Sequence, residues 1–200
     1  MYYVLWVTSN DEDWAIEQIE SNEKAKGLYT ELWLPKRLER LRKRGKHIDM
    51  IKTLFPGYIF VETDESRIDE LAVALRGICS YENNARILGF LRDEVKQPKQ
   101  LNQPYYHYTT HVPLKESEAE FIRKLTENSK DHNTMGASTG YIRDGKLVII
   151  DGPLKGLDKY VVNVNRHSRK CILKMMLFQK LHKILFYLRL VTANIVKILL

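Results

Sequence analysis

The chain has 200 residues, enough for one domain or two small ones, and 44% hydrophobic with 28% charged residues is ordinary for a globular protein. This composition excludes wholesale disorder, collagen-like repeats and a coiled-coil rod. The 32 lysine and arginine residues exceed the 25 acidic residues, so the formal net charge is +7. Cys79 and Cys171 form no CxxC or Cys/His cluster, which argues against a disulfide framework or zinc ribbon and favours a cytoplasmic protein.

The first 128 residues predict strands and helices in mixed order, without regular βαβ repetition. Runs of β-branched and aromatic residues predict strands at Tyr2–Thr8, Leu32–Leu34, Leu54–Glu62 and Ala85–Leu91. Apolar residues at helical spacing predict helices from an Asn10 or Asp11 cap to about Gly27, over Ser66–Arg76 closed by Gly77, and over Pro113–Asn128. The pattern indicates an α+β fold, with helices against an antiparallel sheet.

The remaining sequence predicts a second, smaller domain. Residues 128–138 are polar and without periodicity, which predicts a flexible linker. Tight-turn residues then separate four strand candidates, typical of a small β-barrel: Lys146–Ile150, Tyr160–Val164, Cys171–Phe178 and Lys183–Val191. We therefore expect domains at 1–127 and 140–200 joined by a linker at 128–139. Leu173–Leu188 also fits a helical stripe, so a helix is the alternative there, and we expect the barrel as the dominant state.

Basic residues concentrate in two segments, Lys36–Lys52 and Lys155–Lys183. The first segment alone is as typical of a solvated surface loop as of a nucleic-acid contact. For the second segment, the alternative is the solvated rim of a β-barrel. Together they favour a polyanion, because phosphate contacts supply most non-specific affinity for nucleic acids. The candidate nucleic-acid-binding residues are Lys36, Arg37, Arg40, Arg42, Lys43, Arg44, Lys46, Lys155, Lys159, Arg166, His167, Arg169 and Lys170.

The residues predict neither catalysis nor a membrane span. His107 and His111 are four apart, but Glu116 and Glu118 follow in another segment, and no P-loop or GxGxxG is present. We therefore expect no catalytic residue, cofactor or metal. Ile184–Leu200 is apolar but interrupted by two basic residues, which favours a buried terminal strand over a transmembrane helix.

Two motifs in the correct order resemble the NusG family of transcription elongation factors. The opening strand and helix with FPGYIFV (Phe55–Val61) is similar to the family's N-terminal domain, called NGN. GKLVIIDGPLKG (Gly145–Gly156) is similar to the KOW motif of the family's SH3-like barrel, although Lys159 replaces a usual glycine and would be strained at positive φ. The arginine-rich arm and the KOW segment are most similar to LoaP antiterminators, with RfaH-like and capsule-locus paralogues as alternatives.

The resemblance implies a factor that suppresses pausing and termination at particular operons. It implies that the NGN domain binds the clamp coiled coil of RNA polymerase through Tyr3, Phe55, Tyr58 and Phe90, although core packing is an equally common role for such aromatic residues. RNA, as a structured leader element, and upstream or non-template DNA are the implied nucleic acids, and we expect a monomer without a membrane partner. The alternative is a ribosome-associated or RNA-chaperone KOW protein without polymerase contact. RfaH-like proteins also switch their C-terminal domain between helices and a barrel.

Overall fold

The computed structural model describes residues 1–76, 78, 86–95, 108–127, 129, 131, 133–178 and 180–191. Gly77, Cys79, Ala85, His107 and Asn128, which enter the predictions above, lie outside the described residues, as does the tail 192–200. The chain packs as two compact units, Met1–Leu34 with Pro56–Glu116 and Pro35–Phe55 with Ser117–Leu200. Among the described helices, none has the length and hydropathy to cross a membrane.

Three α-helices and fourteen β-strands make up the described structure. The helices are α1 (Glu12–Glu20), α2 (Ile68–Arg76) and α3 (Glu116–Thr126). The first eight strands are β1 (Tyr2–Val7), β2 (Glu31–Trp33), β3 (Lys36–Lys43), β4 (Lys46–Thr53), β5 (Tyr58–Glu62), β6 (Ile87–Phe90), β7 (Arg92–Val95) and β8 (Tyr108–His111). The others are β9 (Thr134–Met135), β10 (Ser138–Arg143), β11 (Lys146–Asp151), β12 (Val161–Asn165), β13 (Lys170–Leu177) and β14 (Lys180–Leu190).

The first unit is built on an antiparallel sheet of order β2-β5-β1-β6. Alternate residues of β1 and β5, such as Leu5 and Ile59, point to one face and pack with Ile19 of α1 and Leu71 of α2 in the hydrophobic core. This period of two is the pattern that predicted the strands. The mixed α+β class is confirmed, and the pair β7–β8 is an addition that the sequence did not indicate.

Two local predictions differ from the structure for identifiable reasons, and a third, the N-cap of the first helix, is confirmed only in its position. The first helix ends at Glu20 rather than near Gly27, because Asn22 instead closes a turn, accepting a hydrogen bond from the Lys24 amide at 2.9 Å. Asp11 is its N-cap residue but makes no capping hydrogen bond through its side chain. The strand predicted from Leu54 begins at Tyr58, after a turn in which Gly57 has φ +86°.

The C-terminal strands of the second unit form a half-barrel of order β11-β10-β14-β13-β12. Cys171, Leu173, Ile184 and Phe186 are buried in it. Strand β10 was not predicted, so five strands are present in place of four. The turn after β11 is held by Asp158, whose carboxylate accepts a hydrogen bond from the Ile149 amide at 2.6 Å.

The segment that also fitted a helix, Leu173–Leu188, is a strand pair, β13–β14. Met176 and Leu181 face each other across this pair and are exposed, whereas a helical stripe would have buried both. The second unit also contains the β3–β4 hairpin, β9 and most of α3.

Part of the predicted linker has regular structure. Strand β9 pairs in parallel with the start of β3, Met135 is buried, and β10 begins at Ser138. Burial of an apolar methionine and backbone pairing explain why this part is not an irregular segment. The division into 1–127, 128–139 and 140–200 otherwise stays a prediction.

Candidate functional site

The strand register of the first unit separates the aromatic residues predicted to form one pocket. Tyr3 pairs with Val61 and Phe90 with Leu5, and all four lie in the core that packs on the helices. Tyr58 pairs with Trp6, and this pair is next to the core pair Leu5–Ile59. Successive residues of a strand point to opposite faces, so Tyr58 and Trp6 lie on the face opposite the core. Tyr3 and Phe90 consequently do not share a surface with Tyr58.

The Tyr58 face of the sheet carries further aromatic residues that sequence reasoning missed. Trp33 contacts Phe60 and Tyr2, with ring centroids 5.2 and 5.5 Å apart, and Trp33 and Phe60 are buried. Trp6 is 47% exposed, and half-burial of Tyr58 raises the pKa of its phenol. The sequence indicated this aromatic face in part, because the alternation in β5 places Tyr58 and Phe60 on the same side. It did not indicate that β1 and β2 pair with β5, which brings Trp6 and Trp33 to the same face.

The turn before Tyr58 is fixed by Glu12, a second residue that the sequence did not single out. Glu12 is buried in α1 and its carboxylate accepts a hydrogen bond from the Gly57 amide at 2.6 Å. A β-carbon on Gly57 would lie 3.1 Å from the Val7 carbonyl oxygen, so the turn approaches β1 closely. Glu12 thereby positions the start of β5 and the aromatic face.

We expect Glu12→Ala to lower the free energy of unfolding by about 2 kcal/mol, because the buried Gly57 amide loses its acceptor. Glu12→Gln keeps an acceptor oxygen and should lose less. Urea denaturation followed by tryptophan fluorescence measures both. Glu17→Ala, at an exposed position of the same helix, is the control and should change stability by less than about 0.5 kcal/mol. Equal effects at the two positions would contradict a role for the Glu12 hydrogen bond.

Phe55 belongs to the second unit and is only 2% exposed. Its ring meets the edge of Phe178 at 5.5 Å and His182 at 6.1 Å, and Phe178 contacts His182 at 5.1 Å. Burial lowers the pKa of His182, which favours the neutral ring in this aromatic cluster. Phe55 therefore packs in a core of the second unit. A charged substitution at this position would disrupt folding, so a loss of binding would not identify Phe55 as a contact residue.

Several basic residues predicted to bind nucleic acid make contacts within the second unit. Lys170 contacts Glu39 at 2.6 Å, and Arg37 lies 3.6 Å from the same carboxylate. Arg40 pairs with Asp49 and also donates to the Tyr187 hydroxyl at 3.1 Å, with its guanidinium 5.0 Å from the ring centre. Burial lowers the pKa of Arg37, and the hydrogen bond from Lys170 lowers the pKa of Glu39.

The other cations lie in exposed turns, except for Lys36, which is half-buried, and Arg42, whose side chain lies outside the described residues. Lys155 and Lys159 follow β11, and Lys159 lies 5.0 Å from the Tyr160 ring centre in a short 3-10 helix, so positive-φ strain does not arise there. The β12–β13 turn and the end of the β3–β4 hairpin present the remaining exposed cations: Arg166, His167, Arg169, Lys43, Arg44 and Lys46.

His111 makes two polar contacts within the first unit. Its Nδ1 lies 2.9 Å from Asp69, and its Nε2 accepts a hydrogen bond from Arg92 at 3.1 Å. Glu118 accepts a hydrogen bond from the Phe178 amide at 3.0 Å, whereas Glu116 is exposed. Within the part of the chain that the structure describes, no three His, Cys, Asp or Glu side chains are grouped to hold a metal ion.

Comparison with known proteins gives one family. The sequence model of NusG, described as transcription termination factor nusG, matches residues 1–107. A solved structure described as "Domain interaction in Thermotoga maritima NusG" is similar with a TM-score of 0.49 and 18% sequence identity, over 93% of this chain and 92% of that chain. A search of curated proteins finds no match. Because the family model spans more than half of the chain, the protein belongs to the NusG family of transcription factors.

Proposed function

We propose that this protein is a transcription elongation and antitermination factor that binds RNA polymerase through the aromatic face of its first unit. The observation that carries the proposal is the cross-strand pair of Trp6 and Tyr58 within the part of the chain that matches the family. An exposed tryptophan beside a half-buried tyrosine is typical of the anchors that dominate protein–protein binding. An apolar stripe on a helix of the polymerase clamp coiled coil fits such a surface.

Binding of this kind regulates the polymerase without covalent chemistry. A factor that prefers the closed, elongating clamp to the opened, paused clamp shifts the population toward elongation. A preference of about 1.4 kcal/mol changes pausing tenfold. Action at particular operons, as in the LoaP type, requires a further signal in the nucleic acid.

The exposed C-terminal cations fit an RNA contact. Arg166, His167 and Arg169 occupy one turn, in which the Asn165 side chain accepts a hydrogen bond from the Ser168 amide at 2.9 Å and fixes the backbone. Arginines in a fixed turn suit the phosphates of a structured leader RNA. The protein acts in the cytoplasm as a monomer in this proposal, with the C-terminal half-barrel as its KOW domain.

The test is retention of RNA polymerase by the tagged full-length protein in cell extract, with wild type, Trp6→Glu and Val73→Glu compared. We expect Trp6→Glu to reduce retention at least tenfold, because a charge replaces the apolar anchor. Val73 is an exposed apolar residue on α2 of the same unit, so Val73→Glu should retain polymerase like wild type. Pause lifetimes in a purified transcription reaction should follow the same order.

Two results would oppose the proposal. Equal retention by wild type and Trp6→Glu would show that the aromatic face does not contact the polymerase. Failure of wild type to retain polymerase would favour the alternative of a ribosome-associated or RNA-chaperone protein, and ribosomal proteins in the retained fraction would identify it.

A further inference from the structure

The end of the β3–β4 hairpin carries an exposed apolar pair between cations. Leu41 lies directly opposite Ile48, and the two side chains are 37% and 43% exposed. Lys43 pairs with Lys46 one step nearer the turn on the same face of the hairpin. We call these four residues the tip patch. Residues 43–49 are all exposed, so the hairpin end is a two-stranded ribbon open to solvent.

The turn that closes the ribbon is tight and adds charge. Arg44 and Gly45 have φ of 50° and 80°, the positive values that a two-residue type I′ turn requires. In the sequence Leu41–Asp49 four residues are lysine or arginine, and the single acidic residue, Asp49, is paired with Arg40. The hairpin end therefore presents a narrow, strongly positive surface with an apolar centre, which complements a polyanion whose own contact surface is partly apolar.

We infer that the hairpin end, Leu41–Asp49, enters the major groove of duplex DNA. A pair of strands about 4.8 Å apart fits the B-DNA major groove, which is about 12 Å wide and admits a two-stranded ribbon. The floor of this groove exposes the thymine methyl group, a partner for Leu41 and Ile48, and its rims carry phosphates for Lys43, Arg44 and Lys46. The major groove of A-form RNA is too deep and narrow for the same entry, and uracil lacks the methyl group.

This inference deepens the proposed function, because it assigns the hairpin to duplex DNA and leaves RNA to the C-terminal turns. The test is fluorescence anisotropy of the full-length protein with an A·T-rich DNA duplex, the same duplex with deoxyuridine in place of thymine, and the corresponding RNA duplex. We expect wild type to bind the thymine duplex about fourfold more tightly for each methyl group covered, from the transfer energy of one buried carbon. Binding to the RNA duplex, which the proposed function assigns to the C-terminal turns, should be the same in wild type and in the hairpin variants described below.

Two double variants separate the apolar and ionic contributions. Leu41→Ser with Ile48→Ser should still bind DNA but lose the preference for thymine. Lys43→Gln with Lys46→Gln should weaken binding to both DNA duplexes and lower the salt slope by about two. The matched control is Met176→Ser with Leu181→Ser, the exposed cross-strand pair of β13–β14, which should behave as wild type. All of these side chains are exposed, so unchanged melting temperatures are expected and are checked first.

The inference is overturned if wild type shows no thymine preference, if the hairpin variants weaken binding to the RNA duplex as much as to DNA, or if the apolar variant keeps the preference. Stronger binding to anionic vesicles than to DNA, lost in the apolar variant, would assign the tip patch to a membrane surface instead. Polymerase retention separates this test from that of the proposed function. Variants of the tip patch should retain polymerase, and Trp6→Glu should retain DNA binding. The two proposals can therefore be confirmed or rejected independently.

Discussion

Replacing Gly152 by alanine is expected to lower the free energy of unfolding by about 3 kcal/mol. Gly152 has φ +92°, and an added β-carbon would lie 2.7 Å from the Ser138 Cα and 2.8 Å from the Ala137 carbonyl oxygen. Both are backbone atoms, which cannot rotate away as the end of a side chain can. The same turn is tied to β10 because the buried Ser138 hydroxyl accepts a hydrogen bond from the Leu154 amide at 3.0 Å. A shift of the turn therefore also disturbs this bond.

Gly156→Ala is the matched control for this prediction. Gly156 has a similar φ of +82°, but an added β-carbon would meet no atom within 4 Å. Only the cost of the left-handed conformation applies there, about 1 kcal/mol. Urea denaturation followed by far-ultraviolet circular dichroism compares the two variants. Equal losses would show that the approach of Gly152 to β10 has no energetic consequence.

Glu39→Ala is expected to destabilise the second unit by about 3 kcal/mol at pH 7. The Glu39 side chain is 15% exposed, and its partners Lys170 and Arg37 are 21% and 13% exposed. Removal of the carboxylate leaves two largely buried cations without their shared counter-charge. Their mutual repulsion and incomplete hydration then act against the packing of β3 with β13 and β14.

The lowered pKa of Glu39 determines how the stability difference between wild type and Glu39→Ala changes with pH. The hydrogen bond from Lys170 lowers the pKa of Glu39 in the folded protein, so its contribution is fully present above the unfolded-state pKa of about 4.3. The difference between wild type and Glu39→Ala should be constant from about pH 6 to 8 and shrink as the pH falls below about 4.3. Glu23→Ala, which removes an exposed pair with Lys26, should cost under about 0.5 kcal/mol. A difference that does not depend on pH would contradict an ionic role.

Much of the local structure was predictable because it depends on neighbours in the sequence. The alternation in Tyr58–Glu62, the turn at Arg44 and Gly45, and the strands on either side of Gly152 follow from side-chain period and turn chemistry. Strand β9 was missed because two residues carry too little periodicity to detect. Glu12 was missed because an acidic residue in a first helical turn ordinarily faces solvent.

The candidate site was predictable only in its residue types. The sequence alone determined the FPGYIFV motif, the segment that resembles a KOW motif and two clusters of cations, and these indicated the family to compare. Tertiary structure decided that Tyr3 and Tyr58 lie on opposite faces, because pairing between strands sets the face and a shift of one residue reverses it. It also decided which cations are exposed, because Lys170 meets Glu39 across 131 residues of sequence, whereas Lys43 and Lys46 extend into solvent. Charge is a property of the residue, but its availability to a partner depends on contacts that only the folded chain creates.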